Sequence, residues 1–187
     1  MNALRLQFLQ TFKKNQMIKL KSLIHSIFIA LLLFSNSATA AEKEYMLKAG
    51  FLYNFARFGH WELNKPSKNF VICSPDKYFI DITDNSLQNK TIKGLPLQSR
   101  FITFDDLSQC NILFITANTI KLWEQQPNKI KGIMVVGETN SFIEKGGHIR
   151  FFLLNGKIRF EISPQQLKKS GVSMSSKVLR LARVIER

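Results

Sequence analysis

No spacing of histidines, cysteines and carboxylates in this chain matches a metal site, and no signature of a catalytic family is present. The chain has three histidines. His25 lies in the N-terminal segment, and His60 and His148 stand alone, without an HxxxH or HExxH spacing around either. There is no GxSxG elbow. Met174 occupies the position where an SxxK motif ending at Lys177 would need serine, and the glycines form neither GxGxxG nor a P-loop. Asp105 and Asp106 are adjacent, a pattern that caps backbone amides in a turn more often than it transfers protons. The residues therefore call for no cofactor and no metal, and they read as those of a non-enzyme. Triads assembled from distant residues leave one enzymatic alternative, in which a pocket pairs His60 or His148 with a nucleophile.

Acidic residues are scarce: 13 Asp and Glu face 27 Lys and Arg, for a net charge of +14. An apolar run long enough to span a membrane is also missing. Residues 27–34 are continuously apolar, but a spanning helix needs about 20 such residues. Lys19 and Lys21 precede the run and Ala38-Thr39-Ala40-Ala41 follows it, the three-part order of a cleavable secretory signal over residues 1–41. The alternative is an uncleaved N-terminal anchor. Met17, followed by Ile-Lys-Leu-Lys, is the more typical signal start, which would make the first 16 residues a misassigned beginning. No cysteine stands at the cleavage site, which argues against a lipid-anchored end. Residues 42–187 then form one domain. Five of the cations (Arg5, Lys13, Lys14, Lys19, Lys21) fall before it and all the acidic residues within it, leaving 22 against 13, or +9. For an exported chain that charge favours anionic headgroups or an acidic protein over nucleic acid. Cys73 and Cys110 are the only cysteines. In an exported domain they most simply form one structural disulfide, the alternative being two separate buried thiols.

Along the domain, residues 44–58 read as a mostly buried helix. Leu47, Phe51, Phe55 and Phe58 form its stripe, Met46, Ala49, Gly50 and Tyr53 its neighbouring face, and only Lys48, Asn54 and Arg57 break the pattern. Strands are expected at 69–73, 95–103, 110–116 and 132–137, with helices at 78–87 and 118–126 and a short one at 141–144. The uninterrupted apolar strands imply a sheet covered on both faces. The fold class is α/β, a layered domain with a central mixed, largely parallel sheet flanked by helices. Residues 149–154 and 157–162 flank Asn155-Gly156, the strongest short hairpin signal. Ile158, Phe160 and Ile162 point inward and Lys157, Arg159 and Glu161 outward. Ser163-Pro164 opens a helix ending near Ser170-Gly171. A last helix is expected from Ser175 to the chain end, capped by Ser175 and Ser176. Val178, Leu181, Ala182 and Ile185 form its apolar face, with Arg180 and Arg183 among the cations opposite. Those cations and the outward hairpin residues are the candidate partner-binding set: Lys157, Arg159, Glu161, Arg180 and Arg183.

Three segments taken in order resemble the YfiR/HmsC family of periplasmic regulators. They are Leu47-Lys48-Ala49-Gly50-Phe51-Leu52-Tyr53-Asn54-Phe55-Ala56-Arg57-Phe58 with Trp61; Cys110-Asn111-Ile112-Leu113-Phe114-Ile115; and Gly146-Gly147 to Phe151 with Arg159-Phe160-Glu161-Ile162 and Ser175-Ser176-Lys177-Val178-Leu179-Arg180-Leu181-Ala182. The resemblance implies a sheet flanked by helices and a periplasmic inhibitor that binds the periplasmic region of an inner-membrane diguanylate cyclase. Such an inhibitor keeps cyclic di-GMP and biofilm formation low. Further partners it implies are an outer-membrane lipoprotein that relieves inhibition and a second copy in a homodimer. Cys73 and Cys110 sit where members often carry a pair, which could report redox state. The second pair found near the hairpin in some members is missing here. The competing reading is a periplasmic small-molecule binder, for a nucleotide or an amino acid, resembling one lobe of a solute-binding protein.

Overall fold

The computed structural model of the chain describes residues 40–62, 68–126 and 130–186. The expected signal segment lies outside the described residues. Glu44–Arg187 form one compact unit. The first described element is the helix α1, over residues 40–58. Then follow β1 (Gly59–Trp61), β2 (Phe70–Ser74), α2 (Lys77–Ser86), β3 (Thr91–Ile92), β4 (Leu95–Phe101), β5 (Ile112–Ile115), α3 (Ile120–Glu124), β6 (Met134–Gly137), β7 (Ile149–Leu154), β8 (Lys157–Ile162), α4 (Pro164–Lys169), β9 (Val172–Met174), α5 (Ser176–Leu179) and β10 (Arg183–Val184).

Eight strands form one sheet in the order β10-β8-β7-β6-β5-β2-β4-β3. It is parallel from β4 through β2, β5 and β6 to β7, antiparallel at β7–β8 and β3–β4, and parallel again where β10 joins β8. This is the mixed, largely parallel α/β sheet that the alternation of strands and helices implies. β1 and β9 pair separately, with Gly59 opposite Met174.

Strand parity builds two cores. On one face Ile72, Ile112, Phe114, Met134, Val136, Ile149, Phe151, Phe160 and Ile162 pack beneath α1, α2 and α4. On the other, Val71, Cys73, Leu113, Ile115, Val135 and Phe142 form a smaller core with Cys110 and Ile102. Cys73 and Cys110 are disulfide-bonded at its centre, with Cα atoms 5.8 Å apart, and both are buried.

Helix α1 is rotated from its expected setting. Ala49, Leu52, Phe55 and Ala56 are buried, while Leu47 and Met46 face solvent. The rotation brings Phe51 and Phe55 onto Phe151 and Phe160, with ring centroids 5.0–5.9 Å apart. It also buries Lys48, which the periodicity treats as a break. An ion pair with Glu138, from outside the helix, makes that position acceptable.

The β7–β8 hairpin turns at Asn155 and Gly156, with φ of 51° and 69°, the left-handed pair that a type I′ turn requires. Residues 141–144 form hydrogen-bonded turns rather than a helix. Phe142 dominates there: a Cβ on Gly147 would fall 2.2 Å from its ring, so Gly147 lets the chain pass.

The end of the chain differs from expectation. Helix α5 lasts one turn, and the chain then joins β8 as a parallel strand, with Arg183 beside Glu161 and Ile185 N–H donating to the Ile162 carbonyl at 2.8 Å. The open edge of β8 offers unpaired backbone groups, and pairing with it overrides the helical period of Val178, Leu181, Ala182 and Ile185. Leu181 consequently lies 73% exposed instead of in a core. Ser175 occupies the N-cap position, but its hydroxyl makes no cap bond and is buried without a partner among the described residues; its carbonyl accepts from Val178 and Leu179 instead.

Candidate functional site

In open α/β sheets the default ligand crevice lies beyond the carboxyl ends of the strands where the strand order reverses. Here that point falls between β2 and β5, because the chain leaves β2 for β4 on one side and returns to β5 on the other. The crevice is filled by the chain itself. Thr116 Oγ1 donates to Asp76 Oδ2 at 2.7 Å, while Asp76 Oδ1 caps α2 by accepting from Phe79 N–H. Glu138, just past β6, accepts from Ala117 N–H at 2.6 Å and pairs with Lys48 Nζ at 2.5 Å. Lys48 also pairs with Glu44. Tyr45 packs its ring edge-on against Phe79, and burial followed by the nearby Glu138 and Asp76 carboxylates raises its phenol above the ordinary value. The first turns of α1 therefore occupy the place a ligand takes in related architectures.

The sheet offers a different surface at β7, β8 and β10. The disulfide core on the second face reaches only as far as β6. Beyond it the same face carries Arg150, Phe152 and Leu154 on β7, opposite Glu161, Arg159 and Lys157 on β8. Lys157, Arg159 and Arg180 are exposed. Glu161 lies on this face but is only 6% exposed, clamped by Arg150 Nε at 2.5 Å and by Arg183. Of the five candidate partner-binding residues it is the one shielded from direct contact. Burial alone would raise its carboxyl pKa, but the hydrogen bonds and charges of the two arginines outweigh it and hold the pKa below the ordinary value. The guanidinium of Arg183 also stands 4.5 Å from the Phe152 ring centroid, so a cation, an aromatic ring and a carboxylate fix the last strand together.

This surface also holds Arg150 and Phe152, which the sequence expectation leaves out. The Asn155-Gly156 register carries the signal for both, setting Arg150 opposite Glu161 and Phe152 opposite Arg159. Leu154 is 53% exposed on this face, whereas Leu153 and Val184, at 61% and 44%, belong to the opposite face of the same strands.

His60 is exposed on β1, opposite Ser173. Asp105 accepts from Thr103 Oγ1, and Asp106 accepts from the backbone and hydroxyl of Ser108, so both serve their turn. Among the described residues no group of three or more His, Cys, Asp and Glu could hold a metal, and no helix is long and apolar enough to cross a membrane.

The sequence model of the YfiR/HmsC-like family matches residues 45–183. No curated protein matches the chain. Among solved structures the chain is similar to a conserved domain protein from Vibrio cholerae O1 biovar El Tor, at 14% identity and a TM-score of 0.41; the match covers 67% of this chain and 57% of that one.

Proposed function

The chain belongs to the YfiR/HmsC-like family, and from that premise we propose that it is a periplasmic negative regulator rather than an enzyme. Its target is the periplasmic region of an inner-membrane diguanylate cyclase, whose restraint lowers cyclic di-GMP and biofilm formation. The observation that carries the reading is the uncovered face at β7, β8 and β10. Among the described residues no helix covers this face over three of the eight strands, which instead present Lys157, Arg159 and Arg183 around Phe152 and Leu154, with Arg180 just before β10. A basic rim around apolar side chains complements a partner that is apolar at the centre and acidic around it. Glu161 serves this surface indirectly, by orienting Arg150 and Arg183. The filled switch-point crevice weighs in the same direction, because the default ligand position is taken by Tyr45 and Lys48.

The disulfide belongs to this reading as a staple. Both sulfurs are buried, so a reductant reaches them only when the second core opens. Redox sensing through Cys73 and Cys110 would thus be coupled to local unfolding.

The test is co-purification and titration of the purified protein with the periplasmic domain of an inner-membrane diguanylate cyclase from the same organism. Binding at micromolar concentration that weakens as salt rises supports the reading. The Lys157→Glu/Arg159→Glu variant, altered only at exposed positions, is expected to bind at least about tenfold more weakly. Absence of binding at micromolar concentration, or equal binding by that variant, refutes it.

A further inference from the structure

A second concavity lies away from the proposed partner face, between α3, the turn before β7 and the C-terminal end of α4. Its volume is about 790 Å³, and its lining includes Trp123, Lys131, Lys145, His148, Gln166 and Lys169. Pockets that bury a small organic molecule typically fall between about 300 and 1,000 Å³. We propose that this cleft binds a small organic carboxylate, with the carboxylate held by His148, Lys131 and Lys169 and an apolar body lying along Trp123.

The argument begins with His148, which is 5% exposed. Its Nδ1 accepts from Val135 N–H at 2.9 Å. That bond fixes the neutral tautomer with its proton on Nε2. Nε2–H has no hydrogen-bond partner among the described residues, and the residue lines the cleft. Burial lowers the imidazole pKa to about 4, so at neutral pH the ring offers one donor and no charge. The other polar groups of the lining are mostly engaged. Trp123 Nε1 donates to the Lys145 carbonyl at 3.2 Å, Gln166 Nε2 donates to the Ile143 carbonyl at 2.9 Å, and Lys145 pairs with Glu124. Lys131 and Lys169 have no ion-pair partner among the described residues, and both are exposed. What the cleft offers a ligand is therefore one N–H donor on a buried imidazole and two ammonium groups, and the only carboxylate of the lining among the described residues, Glu124, is already paired. Such a donor set selects an acceptor-bearing anion. Ile130, Val135 and the indole of Trp123, whose ring packs on Phe142, supply the apolar wall. An α-amino acid would bring an ammonium group towards Lys131 and Lys169, so the cleft favours a simple carboxylate over a zwitterion. The inference stands independently of the partner reading.

The test uses benzoate as the probe and benzylamine, with the same ring and the opposite charge, as the control. Binding is followed in 15N–1H NMR spectra of the purified protein through the Trp123 indole N–H and the backbone amide of His148. The expected result is a saturable shift with benzoate and a response at least about tenfold weaker to benzylamine. Lys131→Glu/Lys169→Glu, which changes exposed side chains only, is expected to keep the far-ultraviolet circular dichroism and weaken benzoate at least about fivefold. His148→Gln, which retains an acceptor for Val135 N–H, is expected to weaken it as well. No saturation up to about 10 mM benzoate, an equal response to benzylamine, or undiminished binding by the lysine variant would each overturn the proposal.

Discussion

Lowering the pH from 7 to 5 should destabilise the folded protein through His148. The imidazole is buried, accepts a hydrogen bond from Val135 N–H, and has its pKa depressed from 6.5 to about 4 by burial. The unfolded chain regains the ordinary value. Between those two values the unfolded state binds the proton that the folded state refuses, so stability rises with pH across the window. The contribution is complete above about pH 6.5 and is lost progressively as pH falls towards 4. Within that window each pH step of one is worth about 1.36 kcal/mol, so the loss between pH 7 and pH 5 comes to about 2 kcal/mol. Urea unfolding followed by circular dichroism at pH 7, 6 and 5 measures it. With a slope of about 2 kcal/mol per molar urea for a domain of this size, the midpoint should fall by about 1 M. The control is His148→Gln, which keeps a hydrogen-bond acceptor but does not titrate, and whose midpoint should stay nearly flat over the same range. A variant that falls as steeply as the wild type would place the pH dependence elsewhere and refute the reasoning.

Reducing the disulfide releases a loop with a sequence separation of 37. In the chain-entropy model this costs about 4 kcal/mol, to be read as a lower urea midpoint in reductant and as its absence in Cys73→Ala/Cys110→Ala. Phe55→Ala removes a ring that is 1% exposed and touches Phe51, Phe151 and Phe160; calorimetry should show a loss of about 3–5 kcal/mol. Lys48→Met leaves Glu138, whose side chain is 10% exposed, without its cation and should cost about 3 kcal/mol. Lys48→Met/Glu138→Gln should recover most of that loss, and a double-mutant cycle in which the two changes simply add would show that the pair is not coupled.

The parts of this fold that were legible in the sequence are those governed by local chemistry. Asn155-Gly156 specifies its hairpin because left-handed backbone is needed at both positions. The apolar runs at β5 and β6 specify buried strands because both sheet faces there are covered. The errors share a different cause, which is a partner distant in sequence. Lys48 reads as a break in an apolar helix because the residue that makes its burial tolerable, Glu138, lies 90 positions away. Glu161 reads as an exposed outward residue because alternation gives a side chain its face and says nothing of what else arrives there. Arg183 arrives through β10, a strand that the helical period of the last residues conceals. At the candidate surface, Lys157 and Arg159 were accessible to alternation alone, whereas Arg150 required the hairpin register to be applied to the facing strand.

The uneven covering of the sheet explains why the last strand is held by charge. On the first face α1 supplies Phe51 and Phe55, so Phe151 and Phe160 can be apolar without exposing surface. On the second face the covering layer stops at β6, and the next positions, Arg150 and Glu161, must satisfy one another at the border between core and solvent. A single arginine would leave part of the Glu161 carboxylate unsatisfied, and Arg183 completes it only when β10 is docked. Docking of the final strand and satisfaction of the buried carboxylate are therefore one event. The exposed surface it creates, Arg183 over Phe152 with Arg159 beside them, exists only in the docked state. A partner that recognises this surface would stabilise the docked strand by the free energy of its own binding, and undocking would remove the surface and the affinity together.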